Sequence, residues 1–304
     1  MSIKKYDYLP HLDFETEWWY FTGFLNEKYG FEFTVFLAKP RFLPLGGSFM
    51  AVRPSLTHFT VTDLERNKFF FTEWMKWTDF THEGVEGNLL KMRSKYMRFE
   101  TNGKEYLIQA DGEKYELVLH GENEKGIVPH GEDGIIEMPE GKSYYYTAPR
   151  CKATGFLRIE ETFRSVSGNF WHDHQWGNFQ VKGGWDWLGI RLENKTEIMV
   201  FRIKNKKGNL ISKYLSVILP DGTVQKFDSF TLTPLSENEK YPAEWELEFE
   251  KGKLFVKSAP IKQVIRSKIP SVPEYAEMLS FVEGALFGEK TKGYAFVEIT
   301  NGMR

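Results

Sequence analysis

The chain has 304 residues, with 40 lysines and arginines against 42 aspartates and glutamates, and a net charge of −2. A balance this close to zero argues against nucleic acid and anionic membranes as partners and favours a small molecule. The single cysteine, Cys151, excludes a disulfide within the chain. No apolar run is long enough for a signal peptide or a spanning helix, so a cytoplasmic protein without stable membrane insertion is expected.

Most of the chain consists of short segments in which apolar and polar residues alternate between Gly, Asn, Asp and Pro turns. Such alternation is typical of antiparallel β-structure. The clearest segments, in chain order, are residues 31–39, 105–112, 115–122, 196–205, 213–223, 245–258 and 293–300. The sequence therefore predicts an all-β protein.

One segment near the C-terminus departs from this alternation. In Val272–Phe287, Tyr275, Leu279, Val282 and Leu286 recur at helical spacing after a proline. Proline is common in the first turn of a helix. This segment is predicted to be a short helix.

An internal echo indicates two similar β units. Trp19, Phe21 and Gly23 stand in the same order and spacing as a second set, Trp185, Trp187 and Gly189, which follows 166 residues later (185 − 19). A short polar turn and an alternating strand follow each set. We place the units at residues 1–168 and 169–304, although chance similarity between two aromatic strands is the alternative.

Aromatic residues make up 16% of the chain, which is more than a core of ordinary size needs. An aromatic-lined cavity is therefore expected. The most concentrated aromatic stretch is the decapeptide FWHDHQWGNF, residues 170–179. If it is extended, Trp171, Asp173 and Gln175 lie on one face, and the two histidines and Trp176 lie on the other.

Several motifs occur together in a characteristic order: HLDFETEWWYFTG, SYYYTAPR, VSGNFWHDHQWG, GWDWLGIRLENKTEIMVFRIKNKKG and GYAFVEIT. In this combination the chain resembles the AttH-like and carotenoid 1,2-hydratase-like family. The resemblance implies two lipocalin-like, calycin-type antiparallel β-barrels packed together, with a lipophilic ligand site between or within them. It also implies an activity, because the family includes hydratases of carotenoid and prenylated phenolic substrates and proteins that steer intramolecular cycloadditions.

The resemblance gives Asp173 a role as proton donor, because it matches the aspartate of a Tyr-Leu-Asp triplet in the carotenoid hydratases. The chemistry agrees: a carboxyl group walled by aromatic rings loses hydration, which favours its neutral form and suits a general acid. Trp171 stands where those hydratases have Tyr. The alternatives for this stretch are a structural joint, in which Asp173 and His174 bond the crossover between barrels, and a metal site on His172 and His174.

Glu17 is a second acid–base candidate on the predicted first strand. If its face points inward, it is a catalytic group beside Trp19, or a partner that orients Asp173 or His174. The alternative is a buried charge paired with an arginine such as Arg53, Arg150 or Arg191. His11, just before this strand, is expected to have a structural or solvent-facing role.

The catalytic residues predicted from these arguments are Asp173, Glu17, His174 and Tyr146. The residues predicted to bind substrate are all aromatic: Trp19, Tyr20, Tyr144, Trp171, Trp176, Trp185 and Trp187. Tyr144 and Tyr146 stand where the hydratases have a His-x-Trp pair, so the substrate can differ. Asp186 lies between two of these tryptophans and is predicted to be structural, or to hold site residues in place without contacting the substrate.

These residues predict a lyase or isomerase that protonates a lipophilic alkene, isoprenoid-like or prenylated, and then hydrates or cyclises it. The alternative is a lipocalin-like carrier that holds an apolar ligand unchanged. No phosphate-binding loop, dinucleotide fingerprint or paired C-x-x-C motif occurs, so no cofactor or metal is expected. The oligomeric state stays open, a homo-oligomer included.

Overall fold

A computed structural model describes residues 7–39, 41–46, 48–78, 85–138, 141–179, 183–236, 240–270 and 272–301. Every element that it assigns in these ranges is a β-strand. The prediction of an all-β protein is confirmed. Among the described residues there is no helix long and apolar enough to cross a bilayer.

The strands form two antiparallel sheets. The first contains β1 Thr16–Leu25, β2 Tyr29–Leu37, β3 Arg41–Leu45, β4 Ser48–Asp63, β5 Lys68–Thr78, β6 Val85–Glu86, β7 Leu89–Arg93, β8 Met97–Thr101, β9 Glu105–Asp111, β10 Tyr115–Asn123, β11 Val128–Pro129, β12 Ile135–Met138, β13 Gly141–Ile159 and β14 Thr162–Asn178. Its strand order is β3-β4-β2-β1-β14-β13-β10-β9-β8-β7-β6, with β5 on β4 and with β11 and β12 on β13.

The second sheet contains β15 Trp185–Leu192, β16 Glu197–Lys204, β17 Leu210–Ile218, β18 Val224–Lys226, β19 Phe230–Pro234, β20 Glu244–Phe249, β21 Gly252–Ser258, β22 Val264–Ile265, β23 Tyr275–Leu286 and β24 Glu289–Thr300. Its order is β18-β17-β16-β15-β24-β23-β21-β20-β19, with β22 on β23. Each segment predicted from alternation falls on strands of one of these two sheets.

The predicted helix over Val272–Phe287 is wrong. The segment forms β23, which pairs with β24 along its whole length and with β21 over Ser280–Leu286. Its first six residues are all buried, so apolar residues occupy both strand faces and match the helical spacing by coincidence. The neighbouring strands bond both edges of the segment, and these long-range bonds outweigh the local pattern.

Contacts divide the chain into two compact units. The first is Met1–Val61 with Phe70–Phe179, and the second is Thr62–Phe69 with Gln180–Arg304. The boundary placed between residues 168 and 169 falls inside β14, which pairs with β1 and β13 on both sides of that point. The whole of β14 belongs to the first unit, because its pairing with β1 and β13 continues without a break across residues 168 and 169.

Each unit has its own hydrophobic core. The first core is rich in aromatic rings, among them Trp19, Phe21, Phe33 and Phe99. The second is mainly aliphatic, with Trp245 as its largest member. The echo in the sequence corresponds to β1 and β15, which take the same place: each pairs with the next strand and with the last long strand of its sheet, β14 or β24.

Candidate functional site

Strand β14 lies between β1 and β13, and its register positions the candidate residues. Asp173 pairs with Tyr20 on one side and Thr147 on the other. The next residue, His174, pairs with Trp19 and Tyr146. Because successive side chains of a strand point to opposite faces, Asp173 and His174 belong to different environments.

One face of these three strands carries the first hydrophobic core, and we call it the core face. It holds the even-numbered β14 residues from Phe170 to Trp176, with Glu17, Trp19 and Phe21 of β1. We call the other the opposite face, and it holds Trp171 and Asp173. Both faces are buried at this point of the sheet. The predicted catalytic residues are thus separated: Glu17, His174 and Tyr146 lie on the core face, and Asp173 does not.

On the opposite face, the Asp173 carboxyl group is surrounded by donors. The Trp171 indole N–H donates to Asp173 Oδ1 at 2.7 Å, and the Tyr145 hydroxyl donates to Oδ2 at 2.7 Å. The Thr147 hydroxyl also donates to Oδ1, and its own oxygen lies 2.7 Å from His130 Nε2. Asp173 is 3% exposed, so this polar cluster is enclosed.

On the core face, Glu17 is the centre of a second polar cluster. His174 Nε2 lies 3.0 Å from Glu17 Oε1, and His11 Nδ1 lies 2.8 Å from the same oxygen. The His11 backbone N–H is 3.0 Å from both carboxylate oxygens, and Arg53 Nη1 is 3.4 Å from Oε2. Glu17 therefore contacts His174 and also pairs with Arg53, and its catalytic role stays a prediction.

A hydrogen-bond chain continues from Glu17 through His174 to Tyr146. His174 Nδ1 lies 3.3 Å from the Tyr146 hydroxyl oxygen. Burial lowers the pKa of His174, and Glu17 opposes this only in part, so the imidazole is neutral at pH 7. A neutral ring that donates from Nε2 to Glu17 accepts at Nδ1 from the Tyr146 O–H.

The charge on Glu17 is stabilised by its partners. Burial raises the pKa of this carboxyl group, but hydrogen bonds and charge interactions with His11 and His174 outweigh burial and hold the pKa below its usual range. Burial raises the pKa of Tyr146 well above the usual value, so its hydroxyl keeps its proton. The cluster is a carboxylate, a neutral imidazole and a neutral phenol in sequence, which suits proton relay or metal ligation.

His172 shares the core face with His174, as the alternation predicted, but stands apart from this cluster. Its ring stacks on Phe21 with centroids 4.3 Å apart, and its Nδ1 lies 3.1 Å from the Tyr20 carbonyl oxygen. Burial lowers the pKa of His172 to about 3, helped by His174 and opposed by the Tyr20 bond. The candidate metal pair of His172 and His174 is not supported by this arrangement.

The aromatic residues predicted to bind substrate are distributed over three places. On the core face, Trp19 stacks on His174 with centroids 4.5 Å apart, and Trp176 stacks on His11 at 3.9 Å and on Tyr144 at 5.6 Å. The opposite face holds Tyr20 and Trp171 beside Asp173, and the second unit holds Trp185 and Trp187 on β15. Their role in binding stays a prediction.

Asp186 has the structural surroundings predicted for it. Its carboxylate is fully buried and lies 2.7 Å from both Arg202 Nη2 and Lys204 Nζ. These two cations come from β16, the partner strand of β15. The charge is therefore neutralised within one hairpin.

A cavity of about 730 Å³ lies in the first unit; no predicted site residue lines it, but its lining residues Val35 and Leu37 pair with Trp19 and Glu17. It lies beside β2, β4, β5, β7 and β8, and its apolar walls include Val35, Leu37, Trp74, Met92 and Met97. Four cationic side chains and one acidic side chain also line it: Lys76, Lys91, Arg93, Lys95 and Glu73. No sequence motif indicated this cavity, because its lining comes from five strands that alternate like all the others.

Sequence reasoning also missed four residues of the two polar clusters. His11 was expected to be structural or solvent-facing, yet it contacts Glu17 and stacks on Trp176. Tyr145, Thr147 and His130 surround Asp173 and had no predicted role. The alternation of SYYYTAPR contained part of the signal, since Tyr145 and Thr147 must share a face with Asp173 once β13 pairs with β14.

Two antiparallel sheets, each curled around its own core, define the class of proteins built from two lipocalin-like barrels, as predicted. The chain belongs to the AttH-like family, whose model matches residues 5–302. An AttH protein (NE1406) from Nitrosomonas europaea shares 21% identity over 99% of this chain and 98% of its own, with a TM-score of 0.83. No curated protein sequence matches the chain.

Two further solved structures share the fold at lower identity. Kievitone hydratase from Nectria haematococca is 13% identical over 99% of this chain and 93% of its own, with a TM-score of 0.78. CghA is 13% identical over 95% of this chain and 89% of its own, with a TM-score of 0.65. At these identities the likeness shows a common fold.

Proposed function

We propose that this protein is an enzyme that protonates a lipophilic alkene, isoprenoid-like or prenylated, and then hydrates or cyclises the product. The observation that supports it is the enclosed carboxyl group of Asp173, bonded by Trp171, Tyr145 and Thr147. The likeness to kievitone hydratase concerns the fold, and the reaction rests on this carboxyl group.

The surroundings of Asp173 favour one of its two oxygens as the proton carrier. An indole N–H can only donate, so Oδ1 is held as an acceptor by Trp171. A tyrosine hydroxyl can donate or accept, so the Tyr145 hydroxyl that donates to the carboxylate can instead accept when Oδ2 carries a proton. We therefore assign Oδ2 as the acid.

The proposed reaction balances without a redox partner. Asp173 Oδ2 gives its proton to one alkene carbon, which leaves a tertiary cation on the other. Trp171 and Tyr20 offer ring faces that stabilise a cation, while the three donors stabilise the carboxylate that remains. Water or an internal nucleophile then adds to the cation and loses a proton, which returns to the carboxylate. The Tyr145 hydroxyl, which contacts Oδ2, provides a path for that return.

The test measures whether hydrogen from the solvent becomes bound to carbon in the product. We would incubate the protein in D₂O with a panel of isoprenoid and prenylated-phenol alkenes and analyse the products by mass spectrometry. Asp173→Asn keeps the side-chain shape and removes the acid, so we expect deuterium on carbon with the wild type and none with the variant. Gln175→Met, on the same face of β14, is the matched control and should retain activity.

Deuterium that persists in Asp173→Asn would contradict the assignment of the acid. Absence of deuterium with every substrate, in a wild-type protein that binds the alkenes, would contradict catalysis itself. Near-ultraviolet circular dichroism of each variant shows whether the fold is intact.

The second candidate function is a carrier, and the cavity of about 730 Å³ favours it. Its apolar walls hold none of the predicted catalytic groups. Met92→Trp would place a larger side chain in this cavity and narrow it, so a carrier should bind its apolar ligand more weakly in that variant and unchanged in Asp173→Asn. Equal binding by both variants would contradict the carrier.

A further inference from the structure

Three side chains of the types that bind metal ions lie close together on the core face. One of them is far from the other two in sequence, so no sequence motif indicates the group. His11 precedes β1, Glu17 is on β1, and His174 is on β14. One ligand atom from each lies within 4.8 Å of the other two. The separations of 2.8 and 3.0 Å from Glu17 Oε1 to the two imidazole nitrogens are close to those between neighbouring ligands of a single metal ion.

Each of the two histidines directs one ring nitrogen towards this point, and a polar side chain lies near the other. His174 directs Nε2 at Glu17, and its Nδ1 lies 3.3 Å from the Tyr146 hydroxyl. His11 directs Nδ1 at Glu17, and its Nε2 lies 3.9 Å from the Asp7 carboxylate. The Tyr146 contact supports His174 as a metal ligand, because such a second partner sets the tautomer and the ring orientation, whereas 3.9 Å is longer than a hydrogen bond for His11.

The carboxylate and the rings are also held in place. Arg53 holds Glu17 Oε2, the His11 backbone N–H bonds both carboxylate oxygens, and Oε1 is the oxygen that faces both imidazole rings. Glu17 and His174 are fully buried, whereas the His11 side chain is 19% exposed. An ion would therefore enter past His11, whose ring is fixed by its stack on Trp176.

We propose that His11, Glu17 and His174 bind a divalent transition-metal ion, with Zn²⁺ as the best match. Two imidazole nitrogens and one carboxylate oxygen are a ligand set of zinc sites that keep a position open, whereas Ca²⁺ and Mg²⁺ take oxygen ligands. On binding, His174 changes tautomer: Nε2 ligates the ion, and Nδ1–H donates to the Tyr146 oxygen. The site is independent of Asp173, which lies on the opposite face.

The experiment uses the full chain without a polyhistidine tag, stripped with a chelator and dialysed. Zn²⁺ is titrated by calorimetry, and Co²⁺ is titrated by its visible absorption, which reports the ligand geometry. We expect one ion per chain. His11→Gln should weaken binding by roughly 100-fold or more, because loss of a ligand costs at least as much as loss of a supporting partner.

His120→Gln is the matched control, since His120 is an exposed histidine of β10. It should bind Zn²⁺ as the wild type does. Glu17→Gln changes a fully buried residue, so Zn²⁺ binding by this variant is interpreted only if its thermal unfolding stays cooperative. His11→Gln is the test in either case. No binding by the wild type, or equal binding by wild type and His11→Gln, would overturn the proposal and leave the cluster as a metal-free Glu17–His174–Tyr146 relay.

Discussion

At the scale of single residues, the site depends on which buried groups are charged. Glu17 keeps its charge because His11, His174 and Arg53 surround it, and a buried carboxylate without such partners would be strongly unfavourable. The buried histidines, in contrast to Glu17, are kept neutral by burial. His58 on β4 is fully buried between Phe36 and Phe71, and burial lowers its pKa to about 4 despite Glu73 nearby.

This pKa predicts loss of stability in acid. As the pH falls below 6.5, His58 takes up a proton in the unfolded chain but stays neutral in the native protein until about pH 4. The free energy of unfolding should therefore fall between these values, by about 3 kcal/mol from this residue. Urea denaturation at a series of pH values measures it, and His58→Leu should show a shallower decline. The same slope in both proteins would contradict the assignment.

At the scale of elements, the echo between β1 and β15 has a packing cause. Both strands take the same place in their sheets, and both carry a glycine two residues after an aromatic residue of the echo. A Cβ on Gly23 would lie 2.2 Å from a ring carbon of Phe31, its partner on β2. A Cβ on Gly189 would lie 2.4 Å from the ring of Trp187. Each glycine thus leaves room for a ring against the strand.

Substitution of either glycine should destabilise the protein. Gly23→Ala and Gly189→Ala each force a buried ring to move, and such overpacking costs about 1–3 kcal/mol. The measurement is the free energy of unfolding in urea. Phe31→Leu removes the ring over Gly23, so the double variant Gly23→Ala with Phe31→Leu should lose less than the sum of the two single variants. Additive losses would show that the ring is not the cause.

At the scale of the whole molecule, the chain is organised around two cores. Leu119 belongs to the first core and Leu247 to the second, and both are fully buried. Each core is made by strands of its own sheet, with β14 closing the first and β24 the second against β1 and β15. The two cores are therefore expected to open separately.

Matched substitutions test whether the units open separately. Leu119→Ala and Leu247→Ala should each cost about 2–5 kcal/mol of local stability. Native-state hydrogen exchange should show faster exchange of amides in the first unit for Leu119→Ala, and in the second unit for Leu247→Ala. A uniform increase over both units in either variant would show that they open as one.

The sequence alone determined the strands, the duplication, the family and the faces of the decapeptide, because alternation and motif order are local properties. It also named Asp173, Glu17, His174 and Tyr146, which lie in the two buried polar clusters. It failed at β23, where an apolar segment buried on both faces has no clear period.

Only the tertiary structure decided which of these residues meet. Glu17 and His174 are 157 positions apart, and His11 reaches both from the segment before β1. Strand pairing sets such contacts through register, and a shift of one residue would exchange Asp173 and His174 between the faces. Composition and spacing carry no information on that register, so the separation of Asp173 from the Glu17 cluster became visible only in the folded sheet.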